Sequence, residues 1–192
     1  MSFKMRSAYF VAAISAALTV AAVASAKYAV DSPKIQIHAK GKAISLDGVS
    51  HTLKIKEDDS NLTFTTYLNT FDTKNAKRNE HMQERVGRKP GKDKDGKDIE
   101  IDLFEIKLAV PKDKVDAKKG GKVEGQLTFR EATKKVPVTY VVTDKHVHAT
   151  FDLDVSNYGV KWEKLCLDPE HPVKLTCVDP AVNVEVDFDL KD

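Results

Sequence analysis

The strongest constraint on this chain is an alternation of apolar and polar residues with period two. Successive side chains of a strand point to opposite faces, so this pattern calls for strands with one buried face and one wet one. The last segment shows it most cleanly. Val182, Val184, Val186, Phe188 and Leu190 alternate with Asn183, Glu185, Asp187 and Asp189. In "HVHATFDLDV", Val147, Ala149, Phe151, Leu153 and Val155 oppose His146, His148, Thr150, Asp152 and Asp154. Val123, Gly125, Leu127 and Phe129 form a third set, Val136, Val138, Tyr140 and Val142 a fourth, and Leu62, Phe64 and Leu68 a fifth. Pro137 lies on the opposite phase, where an edge position or a strand start would accommodate it.

Further strands fit "KIQIHAK" and "AISLDGVSHTLKIKE", with Asp47–Gly48 as a turn signal. In "DIEIDLFEIKLAV" the apolar phase shifts between Leu103 and Phe104, which predicts a bulge that keeps both halves facing one core. "GRKPGKDKDGKD" (87–98) reads as a hydrophilic loop. The exception to the strand pattern is "TFDTKNAKRNEHMQE", dense in Lys, Arg, Asn and Glu, which predicts one short helix over 73–85. About eight single-faced strands and one helix make an all-β fold, closed as a barrel or packed as a sandwich. An eight-stranded barrel is just wide enough to be filled by side chains or to hold one small ligand.

The N-terminus has its own logic. A basic start (Lys4, Arg6), an apolar run and Ala24-Ser25-Ala26 before Lys27 predict a cleaved secretory signal peptide over 1–26. The competing reading is an uncleaved anchor, weakened by the many Ala and Ser in the run. Export to the periplasm or beyond follows, with residues 27–192 as one domain and no spanning segment in the mature chain. Cleavage would remove two bases and no acid, turning 31 basic against 29 acidic residues into 29 against 29. A neutral mature chain offers no case for nucleic acid. A homodimer stays open, since polar outward faces argue only weakly against a large interface.

Cys166 and Cys177 are most simply a disulfide in an exported protein, stabilising the fold by about 3 kcal/mol in the chain-entropy picture. A metal site using His171 between them would lack a fourth ligand, and their spacing is not that of a redox C-x-x-C pair. His146 and His148 share a face but lack a third ligand at a readable spacing. "DKDGKD" places Asp93 and Asp95 like EF-hand ligands around Gly96, but Gly91 and Asp102 stand where Asp and Glu are needed. "NLT" at Asn61 matches a glycosylation acceptor, meaningful only in a eukaryotic secretory pathway. No G-x-S-x-G, H-E-x-x-H or phosphate loop is present, and no motif calls for a cofactor. The chain reads as a non-enzyme.

Three segments carry a resemblance. In "TFDTKNAKRNEHM", Asp72, Thr73, Asn75, Arg78, Glu80 and His81 are similar to a D-T-x-N-x-x-R-x-x-H signature. Gly125, Leu127, Thr128, Thr133 and Lys134 match a G-x-L-T segment followed by T-K, and Ser156, Asn157, Tyr158 and Gly159 an S-[DN]-[FY]-G element. Their order resembles the YceI-like family of exported bacterial lipid-binding proteins. The resemblance implies an extended lipocalin-like antiparallel barrel with an apolar cavity for a long amphiphile, a polyisoprenoid, isoprenoid quinone or fatty amide. Phe64, Phe104, Leu127, Phe129, Tyr140, Phe151 and Phe188 are the expected lining. The helix would lie at the entrance with Lys77, Arg78 and His81 near the head group, or merely plug one end, with Asp72 as N-cap for a helix starting at Thr73. Two rivals stand beside lipid binding: a structural barrel filled by its own side chains, and a metal- or redox-linked protein using the histidines or cysteines.

Overall fold

A computed structural model describes residues 30–41, 45–160 and 178–190. The signal-peptide and disulfide expectations fall on residues 1–26 and on Cys166 and Cys177, which lie outside the described residues. Eleven strands are described: β1 (Val30–Gly41), β2 (Ser45–Ser50), β3 (Lys54–Glu57), β4 (Asn61–Tyr67), β5 (Arg88–Lys92), β6 (Asp98–Asp102), β7 (Glu105–Pro111), β8 (Gly120–Phe129), β9 (Ala132–Thr143), β10 (His146–Asp154) and β11 (Val178–Leu190). One α-helix, α1 (Ala76–Val86), precedes β5. Nine strands form one antiparallel sheet in the order β2-β1-β11-β10-β9-β8-β7-β4-β3, while β5 and β6 pair separately.

The sheet curls on itself. Phe64 on β4 and Phe188 on β11 are five strands apart in the sheet, yet their ring centroids lie 6.1 Å apart. Flat strands with that separation would be about 24 Å apart, at about 4.8 Å per strand. The two edges, β2 and β3, are consecutive in the chain and joined by residues 51–53. Part of the seam is closed from β2 to the segment after β4. Val49 and Asp72 exchange two backbone hydrogen bonds (3.0 and 2.8 Å), and the Ser50 and Thr70 hydroxyls are 2.7 Å apart.

Period-two burial runs through the wall as its composition predicts. On β9, Val136, Val138, Tyr140 and Val142 are buried and the residues between them exposed. Leu62, Leu127 and Phe129 are almost completely buried. Gly125 sits in this inward series because a Cβ there would come within 2.7 Å of a Leu108 methyl. Pro137 pairs with Glu124 of β8, but the β9 register with β10 covers only Thr139–Thr143. Its lack of an N–H is therefore harmless on that unpaired stretch.

Four expectations need correcting. The phase shift at Leu103–Phe104 is a change of sheet rather than a bulge, since β6 pairs with β5 whereas β7 pairs with β4 and β8. Residues 87–98 are not a plain loop: they supply β5 and the tip of a polar hairpin, where the Asp93 carboxylate accepts from the N–H groups of Asp95 and Lys97 (both 2.9 Å). Asp47–Gly48 does not turn. It lies inside β2 opposite His38 and Ile37, where a Cβ on Gly48 would stand 3.0 Å from the Ile37 side chain. The helix starts three residues later than predicted. Lys74 has φ +58°, which breaks helical geometry, and Asn75 is the N-cap, accepting from the N–H of Arg78 at 3.1 Å.

Candidate functional site

The concave face of the sheet encloses two apolar cavities that meet at Ile106. The first, about 120 Å³, is walled by inward residues from strands β1, β3, β4 and β7–β11, including Phe64, Leu127, Tyr140, Phe151 and Phe188. Among the described residues its only polar side chain is Tyr140, whose hydroxyl accepts from the N–H of Asp116 at 2.7 Å. The second, about 100 Å³, includes Phe71, Phe129, Leu153 and Val155 and is covered by His81, Met82, Arg85 and Val86 of α1. One water occupies only about 10–15 Å³ on this measure, so each space exceeds a packing defect.

The two compartments differ in what they offer. The described lining of the first offers hydrocarbon and the Tyr140 ring. The second adds an imidazole, a guanidinium and the Asp179 carboxylate to an otherwise apolar wall. His81 and Arg85 are four residues apart, hence on one helical face, with Met82 and Val86 beside them. Of the residues expected near a head group, His81 is buried against this space. Arg78 is half-buried, Lys77 is exposed, and neither lines either cavity. Arg85 was not singled out from sequence, although its i+4 spacing from His81 was the available signal. Phe104 lines neither cavity: it packs against the helix end, where a Cβ on Gly87 would meet its ring at 2.5 Å, and beneath the Arg88 guanidinium at 5.7 Å.

The D-T-x-N signature positions that helix. The Asn79 amide oxygen accepts from both the N–H (2.8 Å) and the hydroxyl (2.6 Å) of Thr73, and its amino group donates to Asp72 at 3.0 Å. Asp72 also accepts from the N–H of Lys74 at 2.8 Å, and these bonds, the Asn79 bond foremost, hold its carboxyl below the usual carboxylate range. At the other end, the Arg130 guanidinium donates to the carbonyls of Val86 and Arg88. Burial lowers the pKa of that guanidinium, partly offset by Glu131. The third motif forms a short turn: Asp154 accepts from the N–H of Ser156, Gly159 takes φ +74°, and the Tyr158 ring packs 6.0 Å from Phe129.

His146 and His148 point away from the cavities and bond to Asp189 (2.9 Å) and Asp187 (2.7 Å) on β11. The bond to Asp189 in particular raises the pKa of His146. Among the described residues no helix is long and apolar enough to cross a membrane.

A curled antiparallel sheet around an elongated apolar interior, capped by one helix, defines a lipocalin-like fold. The YceI-like domain model matches residues 19–190, and the chain belongs to that family. Among solved structures, it is similar to a polyisoprenoid binding domain from Saccharophagus degradans implicated in plant cell wall breakdown. That match has a TM-score of 0.57 at 10% identity, covering 86% of this chain and 99% of that one. Burkholderia cenocepacia BcnA is similar at a TM-score of 0.53 and 15% identity, over 85% of this chain and 100% of the other. No curated protein matches the sequence.

Proposed function

We propose that this is an exported binding protein that sequesters or carries a long-chain amphiphile of polyisoprenoid or isoprenoid-quinone type, without transforming it. The observation that carries the reading is the pair of adjoining cavities, apolar throughout at one end and bearing His81 and Arg85 at the other. Each CH₂ taken from water into the first compartment gains about 0.8 kcal/mol, while the polar end of the ligand finds charged and hydrogen-bonding partners under the helix. Phe64, Leu127, Tyr140, Phe151 and Phe188 would contact the tail, and Phe129 the region nearer the head. Lys77 and Arg78, nearer the first turn of α1, would meet a head group that protrudes. A lining made of hydrocarbon suits retention rather than chemistry. Family membership and the description of the Saccharophagus domain as polyisoprenoid binding support the same ligand class. Residues 1–26 would direct export to the periplasm, where Cys166 and Cys177 would form a structural disulfide.

The test is native mass spectrometry of the mature protein purified from a bacterial periplasm, followed by organic extraction of what travels with it. A stoichiometric isoprenoid or long-acyl adduct is expected. It should be lost in Phe129→Asp and kept in Asp187→Ala, which alters only the outer face. A clean apo mass that persists after incubation with quinones and polyprenyl lipids would overturn the reading in favour of a self-filled barrel.

A further inference from the structure

Strands β4 and β7 are direct neighbours, in register from Asn61↔Pro111 to Tyr67↔Glu105. The chain between them, residues 68–104, therefore leaves the sheet and returns to the same place. Its base is pinned by the Leu68 N–H donating to the Phe104 carbonyl at 2.7 Å. This excursion carries α1, β5 and β6, and so the whole helical cover of the second cavity. Its internal ties are strong: α1 packs chiefly against β5 and the turn Leu68–Thr70, and the Leu103 N–H donates to the Gly87 carbonyl at 2.6 Å.

Beside that base, where Phe129 pairs with Ile106 of β7, the excursion is also tied to the wall at the β8–β9 turn. This is a two-residue connection, Arg130–Glu131, between Phe129 and its partner Ala132. Both of its side chains reach the excursion. Arg130 donates to the Val86 carbonyl and, at 3.3 Å, to the Arg88 carbonyl, while Glu131 pairs with Lys89. A cation at the end of α1 also complements the negative pole of the helix dipole. Arg130 has φ +54°, a left-handed conformation that costs a non-glycine residue about 1 kcal/mol or more and that glycine adopts freely. Two-residue hairpin turns take a positive φ at their first residue, as Asp144 (φ +57°) does between β9 and β10, and here the residue in that place is the arginine that reaches α1.

We infer that Arg130 and Glu131 form a latch that holds the end of α1 and the β5–β6 hairpin as a lid over the second cavity, while the Val49–Asp72 bonds keep the chain before α1 fixed to β2. Opening the latch exposes the face bearing His81 and Arg85 and lets a ligand exchange at this end. Arg130 is a positioning residue that acts through the helix. The ligand-exchange part rests on the lipid-binding reading; the latch itself does not.

The test is hydrogen–deuterium exchange on the full mature protein, comparing wild type with Arg130→Gly, Arg130→Lys and Glu131→Gln. Arg130→Gly suits the turn backbone, so the sheet should survive while the latch is lost. Amides of 76–92 should exchange about tenfold faster or more, with β8 and β9 unchanged. Arg130→Lys keeps the charge but not the fork and should be intermediate. Glu131→Gln should have the smallest effect. Release of the fluorescent probe N-phenyl-1-naphthylamine, followed by stopped flow, should accelerate in the same order. Unchanged exchange over 76–92 in Arg130→Gly would overturn the latch, as would a uniform increase across all strands. Failure of wild type to hold the probe would count against the lipid reading, leaving the exchange data to decide the latch.

Discussion

The wall of the barrel and its cap are built on opposite rules. In β8–β11 the inward side chains are, apart from the Tyr140 hydroxyl, apolar and interchangeable in kind, and specificity comes from alternation and register. In residues 68–104 few side chains are apolar, and the geometry depends on a few individual polar groups, Asp72, Thr73, Asn75 and Asn79, together with Arg130 from the β8–β9 turn. Hydrophobic burial is non-directional and additive over many residues, whereas a hydrogen-bonded cap depends on each of a few bonds. Damage to the wall should therefore appear as lost global stability, and damage to the cap as a local loosening.

The largest effect is expected in the wall. Leu127 is 0% exposed and borders the first cavity, with Gly125 and Leu108 close by. Leu127→Ala should destabilise the protein by about 2–5 kcal/mol, the range for buried leucines whose surroundings collapse only partly. Chemical denaturation monitored by circular dichroism would read it. A midpoint unchanged from wild type would mean that the wall relaxes into the neighbouring cavity at no cost, and the contrast with the cap would fail.

Gly87 offers the corresponding break in the cap. Its backbone is right-handed (φ −92°), so alanine suits the chain, but the added Cβ would collide with the Phe104 ring at 2.5 Å and approach the Gln83 carbonyl at 2.9 Å. Overpacking of this kind costs about 1–3 kcal/mol. Gly87→Ala should speed amide exchange in α1 and leave β8–β11 protected. The double variant Gly87→Ala, Phe104→Leu should recover much of the loss. Absence of that recovery would show that the clash is relieved elsewhere, and that the cap is less tightly seated than its contacts imply.

The same contrast decides what could be read from the sequence. The inward faces of β8–β11 were legible because period-two alternation is a direct record of one buried face. The bulge assigned at Leu103–Phe104 failed because a phase shift records only that the buried side changes; both a bulge and a change of sheet produce it. The hairpin tip at Asp93–Gly96 was hidden because β5 and β6 are paired away from the core, with little apolar face to alternate. The late helix start depended on Lys74 taking φ +58°, a conformation that no side chain announces. Arg85 and Arg130 were passed over for a related reason. Single charged residues are usually solvated, and only the fold brings these two to a cavity wall and a helix end. The "DG" of β2 misled because glycine serves close packing as well as turns.

The smallest expected effect lies on the outer face of the wall, where packing contributes nothing and charge decides. His146 faces Asp187 and Asp189 of β11, with His148 two residues on and Thr143 opposite on β9. Its pKa in the folded protein is raised above the ordinary 6.5, chiefly by the bond to Asp189. A raised histidine pKa means that the folded state holds the proton more tightly, so the stabilisation is complete below the unfolded value. It disappears as pH rises through the folded one. Because the His146 side chain is about half exposed, screening keeps the gain near the low end for surface pairs, about 1 °C in Tm. His146→Gln should accordingly melt slightly below wild type at about pH 5 and with it at about pH 8. A difference of equal size at both ends would assign the loss to the neutral hydrogen bond rather than to the charge. The outer face would then obey the bond-by-bond rule of the cap, and the division between wall and cap would run through the sheet itself.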